Sequence, residues 1–236
     1  MPKDEKMSTV IESVKPSAPH RFFFIRHGKT DWNRELRYQG NSDTELNGEG
    51  VEQARRTGLR LSYIVPARVY SSPLRRARRT AEIIMENNSG DAAVDLCDDL
   101  REISFGSWEG LTTSEIMAKD AEGLAAWRNA PFTAAPKGGE SFAEVVLRSR
   151  RAAEILKKAG SPGDVTFVVA HGVILRALIA ALMNVEELDF FWRVRFDNCS
   201  ISALDMWGAR PSLLLSNDTY HIRLRDEEIK LLTFPQ

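Results

Sequence analysis

Two histidines in this chain share one setting. His27 follows the run Phe22, Phe23, Phe24, Ile25, Arg26, and His171 follows Thr166, Phe167, Val168, Val169, Ala170; each is succeeded by a glycine, Gly28 and Gly172. Short continuous apolar runs are the pattern of buried strands. In open α/β sheets ligands bind beyond the carboxyl ends of the strands, so both histidines are expected at one pocket. Gly28 and Gly172 would let a ligand approach the backbone, and the peptide N–H groups that open a helix after Gly172 would favour an anion. A single histidine placed this way is more often a hydrogen-bonded structural residue; two in matched contexts turn the balance toward chemistry. His20 and His221 lack such company and are read as structural or surface residues.

Arginine is the second signal. Arg26 precedes His27, and the stretch SSPLRRARRTAE places Arg75, Arg76, Arg78 and Arg79 just after another strand, again at the ligand edge. Guanidinium groups suit a phosphoryl group because they stay charged and make paired, directional hydrogen bonds. Most of the four belong on a solvated helix face, and one is expected to point into the pocket. The third signal is Glu102 in REISFGSWEG, residues 101–110, beside Ile103, Phe105 and Trp108. A carboxyl among apolar and aromatic groups resists ionisation and can serve as a proton donor near neutral pH.

Zinc is the rival use of two histidines and a carboxylate. Against it stand the arginines, whose charge repels a divalent cation, and the absence of HExxH or CxxC spacing. No metal and no other cofactor is expected. GxxxxGK[ST], GxSxG and a GxGxxG after the first strand are also absent.

The elements that must position these residues alternate between strand and helix. After the strand at 21–25, residues 47–64 repeat Val51, Ala54, Gly58 and Leu61 at helical spacing; ARVYSS, 67–72, is a strand; and PLRRARRTAEIIMENN is a helix entered through Pro73 at its first turn. Residues 140–160 form a long amphipathic helix with Phe142, Val145, Val146, Ser149, Ala153 and Leu156 on one side, ended by Gly160. VTFVVA is a buried strand leading into a helix from about Val173. NCSISALDMW and PSLLLSN are two late strands with a turn at 208–210. This order predicts an α/β fold, a three-layer sandwich with a mostly parallel central sheet flanked by helices. Residues 103–139 read as an excursion from the sheet, with short helical pieces at Thr113–Lys119 and Gly123–Asn129. Residues 1–19 are expected to be a flexible leader, and 20–236 a single catalytic domain.

The 236 residues carry 32 Lys plus Arg against 33 Asp plus Glu, a net charge of −1. That balance argues against nucleic acid or an anionic membrane as partner. The longest apolar run, 173–183, is broken by Arg176 and is too short to span a bilayer. Cys97 and Cys199 lack a disulfide pattern, which points to a reducing cytoplasm.

Taken together, these residues resemble the histidine phosphatase superfamily, the phosphoglycerate-mutase-like proteins. The triplet RHG at 26–28 with TDWN at 30–33 looks like its signature, as do YQGNSDTELNGEGVEQA at 38–54, SSPLRRARRTA at 71–81, REISFGSWEG, GGES at 138–141 and VVAHGVILRAL at 168–178. The resemblance implies that His27 is the nucleophile that carries the phosphoryl group, that Arg26, Arg76 and His171 surround its oxygens, and that Glu102 protonates the leaving alcohol and later deprotonates water. Gly28, Asn33, Gln39, Gly40 and Gly172 would contribute further substrate contacts. Lys29 departs from the family, where glutamate is common. The implied substrate is a small phosphorylated metabolite of the sugar phosphate, phosphoglycerate or α-ribazole phosphate type, with a homodimer left open. A cofactor-dependent phosphoglycerate mutase is the alternative within the family, and a catalytically weak phospho-ligand-binding protein the alternative outside enzymes. Mutases resemble one another in an Arg-His-Tyr-Gly after the acidic residue and a longer insertion before the second histidine. Here Ile103 follows Glu102 and only 69 positions separate it from His171, which favours the phosphatase branch.

Overall fold

The computed structural model describes residues 18–185 and 193–234. The expected leader lies outside the described residues except for Ala18 and Pro19. Six strands form one sheet in the order β3-β2-β4-β1-β5-β6. Strands β1 (His20–Arg26), β2 (Arg68–Ser71), β3 (Val94–Leu96) and β4 (Val165–Ala170) pair in parallel. β5 (Ile201–Trp207) lies antiparallel beside β1, and β6 (Arg210–Asp218) antiparallel beside β5. The sheet is therefore mixed, parallel where the helical crossovers connect it and antiparallel where a hairpin at Gly208 does; that glycine takes a left-handed φ of +64°.

The continuous apolar runs are explained by burial on both faces. From β1 and β4, Phe23, Ile25, Phe167 and Val169 pack against Leu61 of α2 (Gly48–Leu61) and Ala77, Ala81 and Ile84 of α3 (Arg75–Glu86). Their alternates, Phe22, Phe24, Val168 and Ala170, pack on the opposite face against Val145, Ala152 and Leu156 of α6 (Phe142–Ala159) and Ile174 and Leu178 of α7 (Gly172–Met183). Short helices α4 (Thr113–Lys119) and α5 (Ala121–Asn129) join that second face, so the excursion is packed onto the core through Phe105, Trp108 and Trp127. α1 (Asp31–Arg34) is a single turn closed by a capping box between Thr30 and Asn33.

Three expectations need correction. Val51 shares the α2 pattern but is exposed, and the inward face is built instead from Gln53, Ala54, Thr57, Gly58 and Leu61. Pro73 lies ahead of the helix: Leu74, with ψ 132°, is its N-cap and α3 begins at Arg75. Edge strand β3 and the short helix α8 (Asp226–Lys230) escaped the sequence reading because three and five residues carry no usable periodicity.

Candidate active site

β1 and β4 are parallel neighbours with Arg26 opposite Ala170, so the residues that follow them emerge side by side. The His27 and His171 ring centroids are 5.1 Å apart. Both side chains are buried.

His27 Nδ1 lies 2.7 Å from the Gly28 carbonyl oxygen. A carbonyl only accepts, so Nδ1 carries the proton and the lone pair of the neutral ring resides on Nε2. Burial, reinforced by the charges of Arg76 and Arg26, holds the His27 pKa well below 6.5, and the Gly28 bond opposes this only in part. His171 is likewise held well below its ordinary value, first by burial and then by Arg76. Its Nε2 is 2.8 Å from Ser72 Oγ, and that oxygen also accepts the Leu74 N–H. The Ser72 hydroxyl hydrogen, which has no other acceptor among the described residues, then belongs to His171 Nε2 and places the His171 proton on Nδ1. That Nδ1 is buried without a partner.

Of the four arginines on α3, Arg76 alone turns inward and is fully buried. Arg75 pairs with Glu45, Arg78 with Glu82, and Arg79 with Glu82 and Glu86 at the surface. Arg76 donates from Nη2 to the Gly40 carbonyl at 2.7 Å and from Nη1 to the Ser42 carbonyl at 2.8 Å. Burial pulls its pKa down to about 10, against the attraction of Glu102. Arg26 donates from Nη1 to the Phe196 carbonyl at 2.6 Å, and its pKa is also lowered by burial. The Nε groups of both arginines are buried and unpartnered.

Glu102 reaches the start of α7. Its Oε1 accepts the N–H groups of Val173 and Ile174 at 3.2 Å, and Oε2 also lies 3.2 Å from Val173 N. This corrects the environment expected from sequence: the carboxylate sits on helix N–H groups, while Ile103, Phe105 and Trp108 turn away into the core. It also shows where the helix N-terminus is spent, on a protein carboxylate instead of a bound anion.

The glycines divide. A Cβ on Gly172 would meet only Arg26 and Glu102 at van der Waals distance, facing the site as expected. A Cβ on Gly28 would lie 2.5 Å from the Gly50 carbonyl oxygen, so Gly28 serves the crossing of the loop with α2 instead of ligand access. Gly40 has φ +54° and presents its carbonyl to Arg76. Gln39 uses its side-chain oxygen to accept the hydroxyls of Thr30 and Thr44, and Asn33 uses its own to accept Thr30 N–H and Asn198 Nδ2. Only the NH2 ends of these two amides are left to a ligand. Lys29 is paired with Glu49 at 2.9 Å on the rim.

The model of the histidine phosphatase superfamily (branch 1) matches residues 22–219. The chain belongs to that superfamily. It is 34% identical over 202 residues to phosphoserine phosphatase 1 of Hydrogenobacter thermophilus, covering 86% of this chain and 94% of that one. It is 39% identical over 172 residues to glucosyl-3-phosphoglycerate phosphatase of Mycobacterium tuberculosis, covering 70% and 76%. The crystal structure of the alpha-ribazole phosphatase from Shigella flexneri superposes with a TM-score of 0.77 at 30% identity, over 84% of this chain and 96% of that chain.

This histidine phosphatase also holds its site with residues that sequence reasoning missed. Glu109 accepts from Asn41 N, Ser42 Oγ and Phe105 N, tying the loop clamped by Arg76 to the loop after Glu102. Arg148, braced by Glu140 of the GGES motif, donates to the carbonyls of Asp99, Arg101 and Glu102 and so fixes the backbone that carries the acid. Asn198 Nδ2 and Cys199 N reach the carbonyls of His27 and Arg26. Glu140 was inside a quoted motif; Asn198 had no signal, because the carbonyl it meets, that of His27, is distant in sequence.

Proposed function

We propose that this histidine phosphatase hydrolyses phosphomonoesters of small metabolites without a metal ion, through a phosphohistidine on His27 Nε2. The carrying observation is the tautomer: with Nδ1 committed to Gly28, Nε2 is the free nitrogen, and it stands where Arg26, Arg76 and His171 hold donors that no acceptor among the described residues receives. Neutral Nε2 attacks phosphorus, splitting one difficult displacement into two. Arg26, Arg76 and the Nδ1–H of His171 stabilise charge on the phosphoryl oxygens in both steps. Glu102 gives a proton to the leaving oxygen and takes one from the water that attacks phosphohistidine. Asn33 and Gln39 offer their NH2 groups and Gly172 leaves room beside Arg26 and Glu102, while Gly28 and Gly40 hold the loops that shape the site.

Among the described residues no group of three or more His, Cys, Asp or Glu side chains is placed to hold a metal ion, and no helix is long and apolar enough to cross a membrane. The relatives are named for phosphoserine, glucosyl-3-phosphoglycerate and alpha-ribazole substrates, which supports a small phosphorylated alcohol as substrate here. Residues 20–236 act in this reading as one catalytic domain in a reducing cytoplasm, with both cysteines free.

The test is phosphate release from sugar phosphates, phosphoglycerates, phosphoserine and nucleotides with EDTA present. Release by wild type and none by His27→Ala supports the mechanism; release that EDTA stops, or that survives His27→Ala, overturns it. Transfer of phosphate to a second hydroxyl in place of release would give the mutase reading.

A further inference from the structure

Four buried side-chain nitrogens without a partner, Arg26 Nε, Arg76 Nε, His171 Nδ1 and Arg176 Nε, belong to one neighbourhood around Glu102. The first three are used by the phosphoryl site. Arg176 is not, and no hydrogen bond or ion pair of its guanidinium exists among the described residues.

Arg176 stands one turn beyond Gly172 on α7, about 6 Å along the axis. Residues four apart share a helix face, and the Gly172 face is the one that looks onto Arg26 and Glu102. The guanidinium is half-buried, so it has lost much of its hydration, and its pKa is lowered first by that burial, with the nearby Arg195 charge adding and Glu102 opposing. Every other charged arginine here has an acceptor: Arg26 has Phe196, Arg76 has Gly40 and Ser42, Arg148 has Glu140, and Arg195 has Asp197. Glu102 attracts Arg176 from a distance but does not pair with it: its carboxylate is turned to the N–H groups of Val173 and Ile174, and no ion pair within 4 Å joins the two. A partly dehydrated cation with no acceptor in contact is costly in a folded chain. It is tolerated where a ligand supplies the charge.

We infer that Arg176 binds a second anionic group of the substrate, a carboxylate a few bonds from the ester oxygen, and so selects phosphorylated hydroxy acids over neutral phosphorylated alcohols. A carboxylate fits better than a second phosphoryl group, because Arg176 is alone where the phosphoryl site converges two guanidiniums and an imidazole. This deepens the phosphatase reading and rests on it only for where the phosphoryl group sits.

The test separates the two. In His27→Ala, where the nucleophile is gone, calorimetry measures Kd for two matched pairs: 3-phosphoglycerate against glycerol 3-phosphate, and O-phosphoserine against phosphoethanolamine. A charge-assisted contact predicts that the carboxylated member of at least one pair binds about tenfold to a hundredfold tighter. The preference should vanish in His27→Ala/Arg176→Met and return in part with Arg176→Lys. Absence of a preference in both pairs, or a preference that survives Arg176→Met, overturns the assignment. So does an equal weakening of both members, which would make Arg176 a further phosphoryl contact. Each of these results leaves the hydrolysis reading standing, and a wild type that releases no phosphate while His27→Ala keeps the preference would remove hydrolysis alone.

Discussion

Strand β1 opens on one histidine and is followed directly by another, and its two ends are built for opposite purposes. His20 and His27 are both buried, and burial is the first cause that lowers the pKa of each. At the His20 end no buried ring nitrogen is left without a partner: Nε2 meets Thr166 Oγ1 at 2.8 Å, the ring packs on Phe22 with centroids 4.0 Å apart, and the ring leaves no room for a Cβ on Gly160. At the His27 end, Arg26, Arg76 and His171 keep donors that no acceptor among the described residues receives. One buried donor without a partner costs about 1–3 kcal/mol. Three in one place, two of them cationic, are complementary to an anion. Burial and a depressed pKa are common to both ends; unspent hydrogen-bonding capacity converging with positive charge marks the reactive one.

The comparison can be broken most directly at the nucleophile. His27→Ala should lower phosphate release by about 10⁴-fold or more, since loss of a covalent catalyst leaves only binding and charge stabilisation. A phosphorylated wild-type intermediate, trapped at high pH where phosphohistidine persists and located on Nε2 by phosphorus NMR, should be absent from the variant. A retained burst of product in His27→Ala would transfer the chemistry elsewhere. Next in size is Glu102→Ala. For an alkyl phosphate, whose leaving oxygen needs a proton, the loss should be about 10²-fold or more, and for an aryl phosphate at least tenfold smaller. Equal losses would show that Glu102 positions Arg26 or Arg176 and moves no proton.

A smaller effect is expected at Ser72, which is fully buried and would act through the His171 tautomer. Ser72→Ala should reduce kcat about tenfold with little change in KM, because a neutral imidazole that presents a lone pair in place of N–H loses one charge-directed hydrogen bond. Ser72→Thr should restore the rate. The decisive readout is the nitrogen NMR spectrum of His171: wild type should show the proton on Nδ1, and Ser72→Ala a mixture. A spectrum unchanged by the substitution would remove Ser72 from the mechanism and leave it a packing residue.

How much of this could be read from the chain follows from the same contrast. The two strands, the helix after His171 and the long α6 were legible because continuous apolar runs and a 3.6-residue period are strong local signals. His27 and His171 stood out because they share one setting at two strand ends, whereas Arg76 was separated from its three neighbours by the family resemblance and Glu102 by its aromatic company; the structure brings the four together. The reasons attached to them were less secure. Gly28 was read as ligand access and proves to be a chain crossing; Glu102 was read as a carboxyl among aromatics and proves to be held by peptide N–H groups. Such errors share a cause: partners distant in sequence, such as Gly50 for Gly28 and Val173 for Glu102, leave no mark in the local pattern. Arg176 was noticed only as an interruption of an apolar run.

The smallest effect on turnover belongs to the histidines outside the site, and acid unfolding supplies the control. His221 is buried beside Thr57, and burial pushes its pKa down to about 4; His20 is lowered by the same cause. For a histidine whose folded pKa lies below its unfolded value, the unfolded chain binds more protons in the interval between them, so stability rises with pH across it. His221 therefore contributes stability that is complete above about pH 6.5 and declines as pH falls toward 4, by up to about 3 kcal/mol. His27 and His171 add to the slope with the same sign. Urea unfolding at pH 7 and pH 5 should show wild type weaker at pH 5, with a smaller difference in His20→Gln and in His221→Gln. Phosphate release at pH 7 should stay within about twofold of wild type in both variants, the range expected of groups remote from the reacting atoms. Acid sensitivity should thus belong to all four buried histidines, while the proposed mechanism assigns turnover to the two at the arginine-lined edge. A His20→Gln enzyme that lost turnover as His27→Ala does would show that the two ends of β1 are coupled, and the contrast between a satisfied end and an unsatisfied one would not be the feature that makes the site.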